Sequence, residues 1–190
     1  MKMRHVFARF ILLFLPILFS ACAGMGSPSI SDYSQKKLTE EARMALHSLQ
    51  TSVPETQELR ERSEAVLVFP DIWKAGLLVG GSAGNGVLFS PGGHVLGYYN
   101  ASSISYGLQL GAQSFSEVLF LMTPEALAYL DDSAGWSIGA GPSVVVVDEG
   151  MAKDFSSTTL RSDVFAFVYG QEGLMAGIGI QGQKITKLAP

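Results

Sequence analysis

Two short motifs in this sequence match the pattern that surrounds a catalytic serine. They are residues 80–84, centred on Ser82, and residues 135–139, centred on Ser137. In hydrolases the G-x-S-x-G motif forms a sharp strand-to-helix turn, and a later acid and His activate the hydroxyl. Here runs typical of strands follow both motifs, no His follows Ser137, and no Asp or Glu lies between Ser82 and His94. We therefore expect that the protein is not an enzyme, and only a structure with Ser82 beside His94 and a carboxylate would revive the hydrolase hypothesis.

A glycine-rich segment and an acidic cluster are the places where a nucleotide or a cation would bind. Residues 177–182 match G-x-G-x-x-G, which binds a pyrophosphate where a strand leads into a helix. Only eight residues follow this motif, too few for that helix and a second strand. Asp148, Glu149 and Asp154 lack the spacing of a calcium-binding loop, and the histidines are isolated. We expect a glycine-rich strand, a solvated acidic loop, no cofactor and no metal.

The composition excludes several other classes of protein. The chain has 190 residues, of which 47% are hydrophobic and 16% are charged, and its formal net charge is -4. This apolar content is enough for a folded core and is not typical of a disordered chain. No run of Lys and Arg exceeds two residues, so we expect no nucleic-acid partner.

The first 21 residues have the pattern of an export signal. Lys2, Arg4 and Arg9 precede the apolar run 10–19, and small residues follow it. The run is too short to span a bilayer as a stable helix. Removal of this segment would take away three basic residues and no acidic one, so the remaining chain would be more acidic.

Two kinds of processing are compatible with the residues around Cys22. Ala21-Cys22-Ala23 fits ordinary signal peptidase, whereas Phe19-Ser20-Ala21-Cys22 is similar to a bacterial lipobox, in which the cysteine is acylated. We favour acylation because Cys22 is the only cysteine and cannot form an internal disulfide. Several acyl chains would then anchor the protein stably.

The rest of the chain is predicted to be a flexible tether, residues 22–30, and one domain, residues 31–190. The domain begins with a helix, because apolar residues recur there at helical spacing. Ser52 and Glu55 match a capping box, which predicts a second helix that runs to about Ala65. The apolar positions of the first helix are Leu38, Ala42, Ala45, Leu46 and Leu49.

Beyond Ala65 the pattern changes to short apolar runs separated by glycine, which predicts strands and turns. Residues 90–93 have the composition of a hairpin turn, and Thr123 with Pro124 predicts one further short helix. The predicted fold class is α+β: N-terminal helices, then a Gly-rich, mostly antiparallel β-sheet or barrel-like core. The predicted strands are 66–69, 77–81, 86–89, 94–99, 118–122, 143–147, 164–169 and 174–180.

Four blocks of this sequence resemble one known family. The blocks are residues 65–86, 106–113, 140–142, and 163–167 together with 173–177. In this order they resemble the SYLF domain, a lipid-binding family also called the Ysc-type actin-binding domain, over roughly Leu38 to Leu188. In that family phospholipid binding is attributed to basic residues and to an amphipathic helix near the N-terminal end.

The resemblance implies a site for lipid head groups on the first helix and on the first block. Two hypotheses for the helix stay open. Its leucine face lies among acyl chains while its cations meet phosphates, or that face packs on the sheet and its charges are solvated. Trp73 directly precedes Lys74, the implied cation of the first block, and Trp is a residue type favoured at membrane interfaces. The implied head-group residues are Lys36, Lys37, Arg43 and Lys74.

The expected function is therefore that of a non-enzymatic lipoprotein of the bacterial envelope that binds phospholipid head groups, with anionic lipids favoured. Ala23 after the lipobox implies the outer membrane, facing the periplasm. The alternative is an envelope scaffold that binds a protein partner and uses lipid only as its anchor. Salt distinguishes the two, because head-group contacts by Lys and Arg weaken as ionic strength rises. The actin binding attributed to eukaryotic relatives is not expected for a protein that is exported from a bacterial cell.

Overall fold

The computed structural model describes residues 31–131, 136–137, 141–148 and 162–189. They form two helices, a sheet and one further helix, which confirms the predicted α+β class. In chain order the elements are α1 (Asp32–Ser52), α2 (Glu55–Arg62), β1 (Ala65–Gly76), β2 (Val79–Phe89), β3 (Val95–Leu121), α3 (Pro124–Asp131), β4 (Trp136–Ser137), β5 (Val144–Asp148) and β6 (Val164–Lys187).

The sheet is a curled half-barrel whose shape follows from the length of β3. Strands β1 and β2 form an antiparallel hairpin. The first part of β3 pairs with β2 and the last part pairs with β1, so β3 must fold back between Tyr106 and Gly111. Strand β6 pairs with β3 along this whole course, from Tyr99 to Leu121. Only β5 pairs in parallel, with β6, so the described sheet is mostly antiparallel, as predicted.

Glycine makes the sharp bend of the β3–β6 ribbon possible. Gly111 has a φ of 135° and Gly173 a φ of 102°. Residues other than glycine rarely adopt this backbone conformation. A Cβ atom at Gly173 would lie 2.6 Å from the carbonyl oxygen of Ala112. The glycines at these positions therefore serve the fold.

Helices α1 and α2 pack on the outer, convex face of the half-barrel. The leucine face of α1 is buried, and Leu49 is only 1% exposed. The structure thus favours the second of the two hypotheses for this helix: its apolar face belongs to the protein core and not to a membrane. The core between the helices and the convex face includes Leu38, Ala42, Leu46, Leu49, Leu59, Val66, Val68, Val87, Phe89, Val118, Phe120, Phe165 and Phe167.

A second core fills the concave inside of the half-barrel, where α3 packs. Tyr99 donates a 2.8 Å hydrogen bond to Asp131, and Lys187 forms a 2.6 Å ion pair with the same carboxylate oxygen. These contacts connect the end of α3 to both β3 and β6. The apolar side chains of this core include Leu67, Phe69, Ile72, Leu88, Tyr99, Leu119, Leu121, Ala126, Leu130, Val164 and Ile185.

Two predictions for the second helix differ from the structure. Ser52 does not cap the second helix, because it is the last residue of α1 and Pro54 takes the cap position without a side-chain bond. The second helix ends at Arg62, since Ala65 already pairs in the sheet. The cap of α3 is as predicted: the amide of Ala126 donates to the hydroxyl of Thr123 at 3.2 Å.

Candidate functional site

Two arginines from different helices converge on the turn between β2 and β3. Arg43 on α1 donates from Nη2 to the carbonyl of Gly93 at 3.2 Å. Arg60 on α2 donates from Nε to the carbonyl of Pro91 at 3.1 Å. The turn presents these carbonyls because Gly93 has a φ of 85° and the amide of His94 donates to the hydroxyl of Ser90. The backbone of the turn therefore fixes both guanidinium groups.

The two guanidinium groups have spare donors, and neither forms an ion pair with a carboxylate of the described residues. In the described part of the chain, the ion pairs are Lys37–Glu41, Arg62–Glu58 and Lys187–Asp131, and none of them involves Arg43 or Arg60. A guanidinium carries five N–H donors, so each of these arginines retains several for a ligand. This arrangement is typical of a site for an oxyanion.

A small cavity lies between these arginines, with a volume of about 190 Å³. The Arg43 guanidinium also lies over the ring of Phe89, 5.2 Å from its centroid, which restricts the side chain further. His47 is one helical turn after Arg43 and borders the same cavity. We call this site the arginine pocket; its lining is Arg43, Leu46, His47, Gln50, Arg60, Phe89 and Gly93.

The structure places the three predicted cations of α1 on the surface of that helix. Lys36 is exposed and borders a separate cavity with Asp32 and Glu40. Lys37 is exposed and forms a 3.6 Å ion pair with Glu41. Of the three, only Arg43 belongs to the arginine pocket.

Lys74, the fourth predicted cation, lies elsewhere. It pairs in register with Ser82, whose buried side chain faces the inside of the half-barrel. Phe89, next to Arg43, lies seven positions after Ser82 on β2, and at about 3.3 Å per residue this is roughly 23 Å. The predicted head-group residues thus do not form one cluster.

Several predicted features lie outside the described residues. These are the predicted lipid anchor Cys22, the export signal and tether, and the acidic residues Glu149 and Asp154. Residues 177–182, by contrast, continue strand β6, so this G-x-G-x-x-G motif does not open a helix. That agrees with the expected glycine-rich strand.

The geometry around Ser82 differs from that of a nucleophile elbow. Ser82 lies within β2, and its hydroxyl is 2.7 Å from that of Ser103 on β3. His94 is exposed beyond the far end of the same strand. The described residues contain no group of three or more His, Cys, Asp or Glu side chains placed to hold a metal ion. In the same residues, no helix has the length and apolar character needed to cross a bilayer.

Arg60 and His47 are not among the site residues predicted from the sequence. His47 could have been found, because it follows Arg43 by four positions on a predicted helix. Arg60 could not, since its proximity to Arg43 depends on how α2 and the β2–β3 turn pack. Glu117, which is buried inside the half-barrel at 4% exposure, is also not among the predicted residues.

Comparison with known proteins gives one family. Residues 102–189 match the family model of Ysc84, described as Las17-binding protein actin regulator. Three of the blocks that carry the sequence resemblance lie in this segment, and the block 65–86 precedes it. No curated protein matches the chain. The match identifies residues 102–189 as part of a domain of the Ysc84, or SYLF, family of lipid- or actin-related binding domains.

Proposed function

We propose that this domain binds phospholipid head groups at a membrane surface and catalyses no reaction. The observation that carries this proposal is the pair Arg43 and Arg60, which converge on one turn without a carboxylate partner among the described residues. A phosphate diester offers two unesterified oxygens, and the planar guanidinium matches that geometry with two parallel donors.

One exposed cation on α1, Lys36, can also face an anionic membrane surface. Lys36 lies two helical turns before Arg43 on α1 and is exposed. Each Lys or Arg close to an anionic bilayer contributes about 1 kcal/mol. Asp32 and Glu40 border the cavity beside Lys36 and offset part of this attraction. The arginine pocket is therefore the main head-group contact in this proposal, with Lys36 as a weaker addition.

The proposal includes an anchor at the N-terminal end of the chain. Acylated Cys22 would hold the domain to a membrane of the bacterial envelope, the outer membrane with the domain in the periplasm. This part is supported by the basic, apolar and small residues of segment 1–23. The anchor would raise the local concentration of lipid, so that a modest affinity of the arginine pocket suffices to orient the domain.

The test compares variants of the full chain, so that any N-terminal contribution to membrane binding is the same in all of them. Vesicles of phosphatidylcholine are compared with vesicles that also contain phosphatidylglycerol, and the ratio of the two partition coefficients is measured. We expect the double substitution Arg43→Gln, Arg60→Gln to lower this ratio by roughly tenfold or more, as two contacts of about 1 kcal/mol imply. Added salt should reduce the ratio for the unsubstituted chain.

Arg62→Gln is the matched control. It removes the same charge from α2, but Arg62 is exposed and already paired with Glu58 at 3.1 Å. An equal loss with this control would show that only net charge matters. An unchanged ratio in the double variant would overturn the head-group proposal. It would favour the second candidate, a tethered scaffold for a protein partner, which is supported by the Las17-binding description of the matched family.

A further inference from the structure

The convex face of the half-barrel is apolar beyond the part that α1 and α2 cover. Near the bend of β3, large apolar side chains are exposed on this face: Trp73 by 63%, Ile104 by 58% and Tyr106 by 63%. Val79 and Leu110 are exposed to a similar degree. A contiguous exposed patch of this kind marks contact with a membrane or with another protein.

The strand register shows that these side chains share one face. Ala83 pairs with Trp73 on one side and with Ser102 on the other. One row further along, Gly81 pairs with Ala75 and with Ile104. Because directly paired residues of an antiparallel sheet point to the same side, the large side chains surround a floor of Ala and Gly. A shallow depression of about 380 Å³ lies beside Trp73 over this floor.

Val79 pairs with Tyr106 in the next part of the same face. The turn before Val79 presents two further exposed side chains, Leu77 and Leu78. We call this surface the bare convex face; its members are Trp73, Ala75, Leu77, Leu78, Val79, Gly81, Ala83, Ile104, Tyr106 and Leu110.

The described strands that form the bare convex face carry almost no charge. The strand segments 74–84, 102–114 and 173–183 contain a single charged residue, the cation Lys74, although 16% of the whole chain is charged. The charged residues in register with its border are Lys184, opposite Ser102, and Glu172, opposite Ser114. Asp71, which accepts a hydrogen bond from Trp73, and Glu172 are the acids at the border of this face, and Lys184 is a cation there. The strands within this border place no charged side chain on the face, which suits contact with the apolar part of a bilayer.

The chemistry of the bare convex face favours lipid over a protein occupant. Trp and Tyr are enriched where membrane proteins cross the head-group level, because their rings are apolar and their tips are polar. The N–H group of Trp73 donates to Asp71, so the polar edge of the indole has a partner while its ring stays exposed. Backbone groups within a sheet are already paired, so lipid can cover this face without breaking hydrogen bonds.

We propose that the bare convex face lies in the interfacial layer of a phospholipid bilayer, with Trp73 and Tyr106 at the level of the head groups. The strands then run along the membrane. The apolar contact does not rest on the head-group proposal, since it requires no anionic lipid.

Fluorescence of Trp73 tests the contact directly. Trp136→Phe in the full chain leaves Trp73 as the only tryptophan. This variant is mixed with neutral phosphatidylcholine vesicles whose acyl chains carry bromine near the glycerol end. We expect a blue shift of the emission and at least twofold quenching relative to vesicles without bromine. Ile104→Glu, which changes an exposed side chain across the Ala and Gly floor from Trp73, should abolish most of the quenching.

The control moves the probe to another exposed site. In a chain with Trp73→Phe and Trp136→Phe, the substitution Val146→Trp places the only indole on β5. Val146 is 52% exposed and pairs with Ala166, whose side chain belongs to the concave core. An N-terminal anchor acts equally on both chains. Quenching of Trp73 that exceeds quenching of the indole at position 146 therefore requires insertion of the bare convex face.

Two results would overturn the proposal. Quenching of Trp73 that does not exceed quenching in the Val146→Trp chain would show that the face stays in water. A blue shift without vesicles that grows with protein concentration would show that a second copy of the chain covers the face. The head-group proposal can fail independently, because it depends on anionic lipid and on Arg43 and Arg60, whereas this test uses neutral lipid.

Discussion

Gln183 on β6 donates a 2.7 Å hydrogen bond to the carboxylate of Glu117 on β3, across the inside of the folded sheet. In register Glu117 pairs with Phe69 and Val168, whereas Gln183 pairs with Ser103, so the two are far apart along the sheet and meet only because it curls. Burial raises the pKa of Glu117 to about 7, and the hydrogen bond from Gln183 opposes part of that rise. The half-barrel thus contains an acid that ionises near neutral pH.

The buried Glu117 predicts a fall in stability between about pH 4.5 and pH 7. Its folded pKa is raised above the unfolded value, so the folded state binds the proton more tightly. The favourable contribution is complete below pH 4.5 and is lost as the pH rises through 7. Glu117→Gln, which is neutral at every pH, should raise the free energy of unfolding at pH 8 by roughly 3 kcal/mol and change it little at pH 4.5.

Denaturant unfolding of both chains at several pH values measures this difference. The comparison between Glu117 and Gln at each pH cancels the titration of all other groups. A difference that stays constant from pH 4.5 to pH 8 would contradict the raised pKa.

The packing of α1 predicts a large loss of stability when Leu49 is shortened. Leu49 is 1% exposed and lies in the core between the helix and the convex face. We expect Leu49→Ala to lower the free energy of unfolding by about 2–5 kcal/mol, because it leaves a cavity. Met44→Ala is the control on the same helix, since Met44 is 64% exposed and should change stability by less than about 0.5 kcal/mol. Equal effects in thermal unfolding would show that α1 does not pack as described.

The close surroundings of Gly86 in the β1–β2 hairpin predict that no larger residue fits at this position. A Cβ atom there would lie 2.5 Å from the ring of Phe69 and 2.6 Å from the carbonyl oxygen of Val68. Since neither neighbour can easily move within the core, Gly86→Ala should destabilise the protein by about 1–3 kcal/mol. At Gly92 the nearest side-chain atoms would be 3.8 Å away, so Gly92→Ala should be tolerated. Circular dichroism melts of the two variants distinguish these outcomes.

Local patterns in the sequence predicted the buried face of α1, the start of α3 and the turn between β2 and β3. The spacing of Leu38, Leu46 and Leu49 gave the buried face of α1, and Thr123 with Pro124 gave the start of α3. The turn at residues 90–93 was also predicted, because Pro and Gly determine it locally. These features depend on neighbours a few positions apart.

The long strands were not predictable in the same way. The sequence indicated separate strands at 94–99 and 118–122, whereas β3 is continuous from Val95 to Leu121. Its middle is rich in Ser and Gly, which have low strand propensity, and pairing with β2, β1 and β6 overrides that propensity. The arginine pocket was missed for a similar reason, since Arg43 and Arg60 meet only through tertiary packing.

The pairing of β3 with β6 over residues 99–121 affects the order in which the parts of this domain can fold. Its partners range from Leu121 with Val164 to Tyr99 with Lys187, so every rung joins distant parts of the chain. Such long-range pairing is slow to form, while the β1–β2 hairpin closes locally. Until β6 arrives, β3 presents an open edge along most of its length, a template on which two unfinished chains can pair. Folding of this protein is therefore completed by its last strand, and loss of that strand exposes the chain to aggregation.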